Sequence, residues 1–170
     1  VKSIAPTLTL AAALAIAAYA AVGQAHEVKA GPLTLGDLAV RASLGAVPTS
    51  AAYLTIRNDG KNPDRLVSVD CACAKSASVH RTETKGGVTS MDAAGPLAIP
   101  AHGSVALQPN GLHIMLMGLT GPLKAGALQP MTLHFEHAGA VTAGFHVRET
   151  VTAAENGAGK SMAGMAAMKP

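Results

Sequence analysis

Turn signals recur along this chain at intervals too short for long helices. Asn58-Asp59-Gly60, Gly86-Gly87, Pro109-Asn110-Gly111, Gly121-Pro122 and Ala138-Gly139 punctuate it. Gly supplies positive φ, Pro presets φ, and Asn or Asp bonds its own backbone, so such clusters end strands and helices alike. The runs between them alternate. In 51–58, Ala52, Leu54 and Ile56 are interleaved with Tyr53, Thr55 and Arg57, the two-residue period of a strand with one buried face. Similar runs at 65–69, 76–83, 88–91, 104–107, 112–119, 131–136 and 141–147 bring the expectation to about eight strands, without an internal repeat or a long helix pattern. The predicted fold is all-β, an antiparallel sandwich or barrel.

A length of 170 residues is one domain's worth. Thirteen Lys and Arg against ten Asp and Glu, without a basic block, leave no footprint for a phosphate backbone, and 2% aromatics with no Trp leave no stacking platform for bases. Nucleic acid is excluded as a partner on these grounds.

Residues 1–25 predict a signal peptide. No charge follows Lys2 until Glu27, 8–22 reads LTLAAALAIAAYAAV, and Gly23-Gln24-Ala25 places small residues at the cleavage-determining positions. Cleavage after Ala25 would start the mature chain at His26 in an oxidising, periplasmic compartment, with the net charge lowered from +3 to +2. Residues 26–149 form the expected domain, large enough to bury a core without a disulfide framework. Residues 150–170 lose the strand pattern and are expected to be a flexible tail.

His and Met, seven of each, carry the chemistry. Thioether sulfur is soft and imidazole borderline, so a mixed site favours Cu(I) over zinc or magnesium. Four residues stand out by spacing: His80-x10-Met91-x21-His113-x-Met115. His113 and Met115 lie two apart in one strand and share a face. His80 and Met91 lie on the two arms of the preceding hairpin, so one hairpin and one strand can converge on a single ion.

That spacing, together with AAYLTIRNDGKNPDRLVSV, VHRTE and PNGLHIMLMGLTGPLKAG, resembles the periplasmic copper chaperone family PCu(A)C over 33–147. The resemblance implies a cupredoxin-like antiparallel β-sandwich of Greek-key type with His80, Met91, His113 and Met115 as Cu(I) ligands. It implies delivery of copper to cytochrome c oxidase, through subunit II and its CuA centre or to another copper recipient, often beside a Sco-type thiol protein. The segment 37–42 lacks the Trp that related sequences tend to carry before the Arg.

The other His and Met residues have plainer readings. Met117 and Met131 are expected in the core, and His102, His134, His137 and His146 at the surface or in hydrogen bonds. Cys71-Ala72-Cys73 departs from the family pattern and is open to three readings: a second soft metal site, a redox reporter, or two small apolar strand residues. A bridge between them is disfavoured by extended-strand geometry, while intermolecular oxidation stays open. Met162, Met165 and Met168 are open to two readings, a weaker second copper site or a tail without ligand function, and His26, if cleavage makes it the N-terminus and a partner imidazole is at hand, offers amine and ring nitrogens to Cu(II).

The expected function is chaperoning by ligand exchange in a monomer, with no enzyme activity. The alternatives are an electron-transfer cupredoxin, which needs a Cys thiolate beside two His and a weak Met, and a general periplasmic copper-storage or resistance protein.

Overall fold

A computed structural model describes residues 27–43 and 47–152. The 1–25 segment, His26, and Met162, Met165 and Met168 lie outside the described residues. The described chain contains eleven strands and no helix: β1 Val28–Ala30, β2 Leu33–Arg41, β3 Thr49–Asn58, β4 Asp64–Asp70, β5 Ala74–Lys85, β6 Val88–Ala93, β7 Leu97–Ile99, β8 Ser104–Leu107, β9 Leu112–Leu119, β10 Leu128–Phe135 and β11 Gly139–Arg148. All eight expected runs are strands. The additional three are β1, β2 and β7.

Hydrogen bonding follows the order β6-β5-β9-β3-β2-β11-β10-β4-β7, with β1 on β2 and β8 on β3. β3 divides its pairing between β9 at Thr49–Ala52 and β8 at Leu54–Arg57. The sheet is mixed, because β11 and β2 run parallel through His146↔Ala39, Val147↔Val40 and Arg148↔Arg41. Inward side chains from both halves of this path form one core, in which Leu54, Ile56, Ile114 and Leu116 meet Leu66, Leu133 and Phe145. Each such side chain contributes about 1.5–3 kcal/mol through burial, and the closed-over sandwich follows from the need to cover that face.

β2 places its apolar residues in two phases. Leu33 and Leu35 are buried before a register shift between Gly36 and Ala39, Leu38 within it and Val40 after it. A bulge of this kind exchanges which parity faces the core. Asp37 takes φ 54 there and accepts a hydrogen bond from Thr55 Oγ1 at 3.0 Å, a conformation that Asp tolerates better than most residues. As a result Arg41, odd-numbered like the buried Leu33 and Leu35, points away from the core.

The hairpin β5–β6 turns at Gly86-Gly87, with φ of 58° and 81° and Lys85↔Val88 as the last pair. Two successive positive φ angles fit the two-residue turn whose twist matches the strands. β6 is an edge strand, exposed at every residue.

Cys71 and Cys73 are joined in a disulfide, correcting the expectation that such a bridge is disfavoured. That expectation assumed an extended strand, where residues two apart are separated by about 6.6–6.8 Å. The pair instead occupies the turn between β4 and β5, where the Cα atoms are 5.1 Å apart, within the ordinary bridging range. In this form neither sulfur is a thiolate, so the pair is not a soft metal site.

Candidate metal centre

Strand register brings His80, Met91, His113 and Met115 to one sheet face. His80 pairs with His113 and Ser78 with Met115 across β5 and β9, while Thr82 pairs with Met91 across β5 and β6. Directly paired residues share a face, as do Ser78, His80 and Thr82 at alternate positions of β5. His80 is the hub. It stands opposite His113 and diagonal to both Met91 and Met115, at separations that long side chains span. The reverse face of β9 carries the fully buried Ile114 and Leu116, so the alternation that fills the core also lifts His113 and Met115 out of it.

Met117 follows the same parity. It is 38% exposed, between Ser76 and Thr49, which corrects its expected place in the core. Met131 is in the core, at 1% exposure.

The two imidazoles are held differently. His113 is buried at 5% exposure, and its Nδ1 lies 3.1 Å from the Gly111 carbonyl oxygen. Donation to that oxygen requires the proton on Nδ1 and leaves the Nε2 lone pair free. In His80 it is Nε2 that lies 3.0 Å from Ser78 Oγ, while Nδ1 is buried without a hydrogen-bond partner. With the proton on Nε2 and donated to Ser78, Nδ1 presents a buried lone pair with nothing to accept. Such an orphan atom is costly unless something fills its position, and a cation that accepts nitrogen donors satisfies it. The rings lie 6.2 Å apart between centroids, inclined by 31°.

Met91 sits on the edge strand at 51% exposure. Met91, His113 and Met115 line a cleft of about 430 Å³ together with Arg41, Tyr53, Thr82, Pro109, Asn110, Thr150 and Val151, whereas His80 is not on its wall. Burial pushes the Tyr53 phenol above its ordinary pKa, only partly countered by the charge of Arg41. Among the described residues no three His, Cys, Asp or Glu side chains gather into a metal cluster. The face carries two imidazoles and three thioethers, and the candidate donor set of His80, Met91, His113 and Met115, with Met117 farther along β9, is a combination suited to a soft cation.

The remaining histidines have other settings. His134 Nε2 lies 2.7 Å from Asp70 Oδ2, His102 occupies a turn with φ 50, and the His137 backbone N–H donates to Asp64. A larger cleft, about 620 Å³, lies among Pro32, the loop Gly60 to Asp64 and His137. Its buried carboxylate, Asp64, is occupied by backbone N–H groups of Arg65, His137 and Ala138.

These observations define a cupredoxin-like sandwich with a His/Met face near one sheet edge. Known proteins agree. The family described as "Putative lipoprotein LpqE-like" matches residues 33–147. A curated relative, "Putative lipoprotein Lxx21020" of Leifsonia xyli subsp. xyli, is 35% identical over 108 residues, or 63% of this chain, and the match spans 65% of that relative's length. The copper-bound PCuAC domain from PmoF2 superposes with TM-score 0.64 at 26% identity, covering 74% of this chain and 99% of that one. Apo-DR1885 from Deinococcus radiodurans gives 0.57 at 31% identity, covering 88% and 97%. Its CuI form gives 0.55 at 30%, covering 80% and 88%. The chain belongs to the LpqE-like family and has the PCuAC fold.

Proposed function

We propose that this protein is an exported copper chaperone that holds Cu(I) between His80, Met91, His113 and Met115 and passes it to a copper recipient by ligand exchange. The observation that carries the reading is that strand register sets His80, whose buried Nδ1 has no hydrogen-bond partner, opposite His113 and diagonal to Met91 and Met115. The copper-bound state of the PmoF2 domain and the CuI form of DR1885 support it by similarity. The lipoprotein description of the family supports export to the cell envelope, in keeping with the expected 1–25 signal peptide.

All four donors are neutral, so a recipient offering thiolates or additional imidazoles can displace them one at a time, with transfer running toward the tighter site. Cytochrome c oxidase subunit II is the recipient we favour, with a Sco-type thiol protein as a companion in assembly. The chemistry is association and exchange, without a nucleophile or general base, so no catalytic activity is expected. An electron-transfer cupredoxin is disfavoured because both cysteines are tied in a disulfide, leaving no thiolate for a blue-copper site.

The test is an anaerobic Cu(I) titration against a competing chromophoric chelator, run on the wild type and on a His113→Ala/Met115→Leu variant. One-to-one binding that the variant loses is expected. Equally tight binding by the variant would move the site elsewhere.

A further inference from the structure

We propose that the Cys71–Cys73 disulfide is a redox-active centre that accepts two electrons from an exposed dithiol of a partner protein. No residue is shared with the His/Met face, so the inference stands independently of the copper reading. Ala74 and His80 are six residues apart on β5, or about 20 Å at about 3.3 Å per residue. The two centres lie toward opposite ends of one strand pair.

A disulfide spanning a single intervening residue restricts the unfolded chain little, and this domain has a large apolar core of its own. Stability is therefore a poor reason for the bridge. Its surroundings suit exchange instead. The turn is held by contacts that do not involve sulfur: the Thr120 backbone N–H and Oγ1 both donate to the Cys73 carbonyl, at 2.9 and 3.2 Å, and Ala74 N–H donates to the Cys71 carbonyl at 3.2 Å. Reduction leaves that frame standing and the two sulfurs close.

The sulfurs are also inequivalent. Cys73 is buried, whereas Cys71 is partly exposed. Cys71 Sγ faces the Cys73 backbone N–H at 3.3 Å and Gln129 Nε2 at 3.6 Å, with the Pro130 carbonyl oxygen at 3.8 Å. Two N–H donors stabilise a thiolate at Cys71, and the carbonyl can accept the proton of the thiol form.

The exchange runs in two displacements. A partner thiolate attacks Cys71 Sγ, the accessible sulfur. The Cys71–Cys73 bond breaks, a mixed disulfide forms, and Cys73 leaves as a thiolate that takes up a proton. The partner's second thiolate then attacks its own sulfur in the mixed disulfide and expels Cys71, whose thiolate the two N–H donors receive before it is protonated. The partner's dithiol is oxidised to a disulfide, this pair is reduced to a dithiol, and the partner's two protons end on Cys71 and Cys73. A leaving thiolate of lowered pKa departs faster, which is the contribution of Gln129.

The test equilibrates the folded protein in dithiothreitol and glutathione redox buffers, with alkylation and mass measurement of the thiols and near-UV circular dichroism in parallel. Reversible two-electron reduction with an unchanged spectrum is expected. Reduction that occurs only with loss of the native spectrum would make the bridge a structural staple and overturn the proposal. In single-thiol variants, Cys73→Ser, which retains Cys71, should react with an aromatic disulfide reagent at least ten-fold faster than Cys71→Ser. Equal rates would overturn the assigned asymmetry. Gln129→Ala in the Cys73→Ser background should shift the thiolate absorbance titration to higher pH, and an unmoved titration would remove Gln129 from the mechanism.

Discussion

His80 and His113 face each other across β5 and β9 with their free ring nitrogens assigned oppositely: Nδ1 in His80, because Ser78 engages Nε2, and Nε2 in His113, because the Gly111 carbonyl engages Nδ1. The backbone carbonyl fixes the second assignment because it can only accept, whereas the Ser78 hydroxyl can donate or accept, and the first holds when that hydroxyl accepts from Nε2.

Ser78→Ala therefore leaves the His80 ring without its orienting partner. In the proposed copper site, Cu(I) affinity should fall by roughly ten-fold, the low end for loss of a partner that orients a ligand. Competition with a chromophoric chelator measures it, and an unchanged affinity would mean that packing alone holds the ring.

Met117 and Met131 make a contrasting pair. Met131→Ala empties a fully buried position and should cost about 2–5 kcal/mol, whereas Met117→Ser, on the outward face, should stay within about 0.5 kcal/mol of wild type. Urea denaturation of the two variants checks both figures.

Asp64 predicts an acid-sensitive component of stability. Burial alone would raise its carboxyl, but the N–H groups of His137, Arg65 and Ala138 more than offset this and hold it below the usual carboxylate range. A native value below the unfolded one, about 3.9, means the contribution is fully present above that pH and is lost as pH falls through the native value. Asp64→Ala should cost about 2–3 kcal/mol at pH 7. The gap from wild type should narrow in urea melts as pH falls below the unfolded value of about 3.9.

Tyr53 works in the opposite range. Burial raises its phenol despite the opposing charge of Arg41, so the native state keeps a proton that the unfolded chain releases near pH 10. The associated stability is complete below that pH and declines as pH rises through it. Tyr53→Phe should flatten this part of the alkaline decline, and an equally steep decline in the variant would place its origin elsewhere.

Much of the architecture was legible because it rests on period and punctuation. The expected strand 112–119 is β9, and its alternation alone placed His113 and Met115 together. The same alternation applied to Met117 would have removed it from the expected core, a consequence present in the sequence but outweighed by the general habit of Met. β2 was hidden for a different reason. It is buried on much of both faces, so it shows no clean alternation, and Gly36-Asp37 in its middle reads as a turn when it is a bulge. The Cys71–Cys73 bridge depended on whether the chain bends at Ala72, which is settled by contacts to Thr120 at a separation of nearly fifty residues and leaves no local trace. The orphaned Nδ1 of His80 is likewise a property of three-dimensional surroundings.

The exposed arm β6 also sets a scale for kinetics. Among the described residues its sole strand neighbour is β5, and none of its six residues is buried, so peeling it away uncovers little apolar surface and disturbs no part of the described core. Segments of that kind open at the lowest rungs of a protein's ladder of partial unfolding. Of the four proposed donors, Met91 alone rides on such a segment, so its lifetime in place is governed by the fraying of one hairpin arm, while the other three are clocked by the endurance of the whole sandwich.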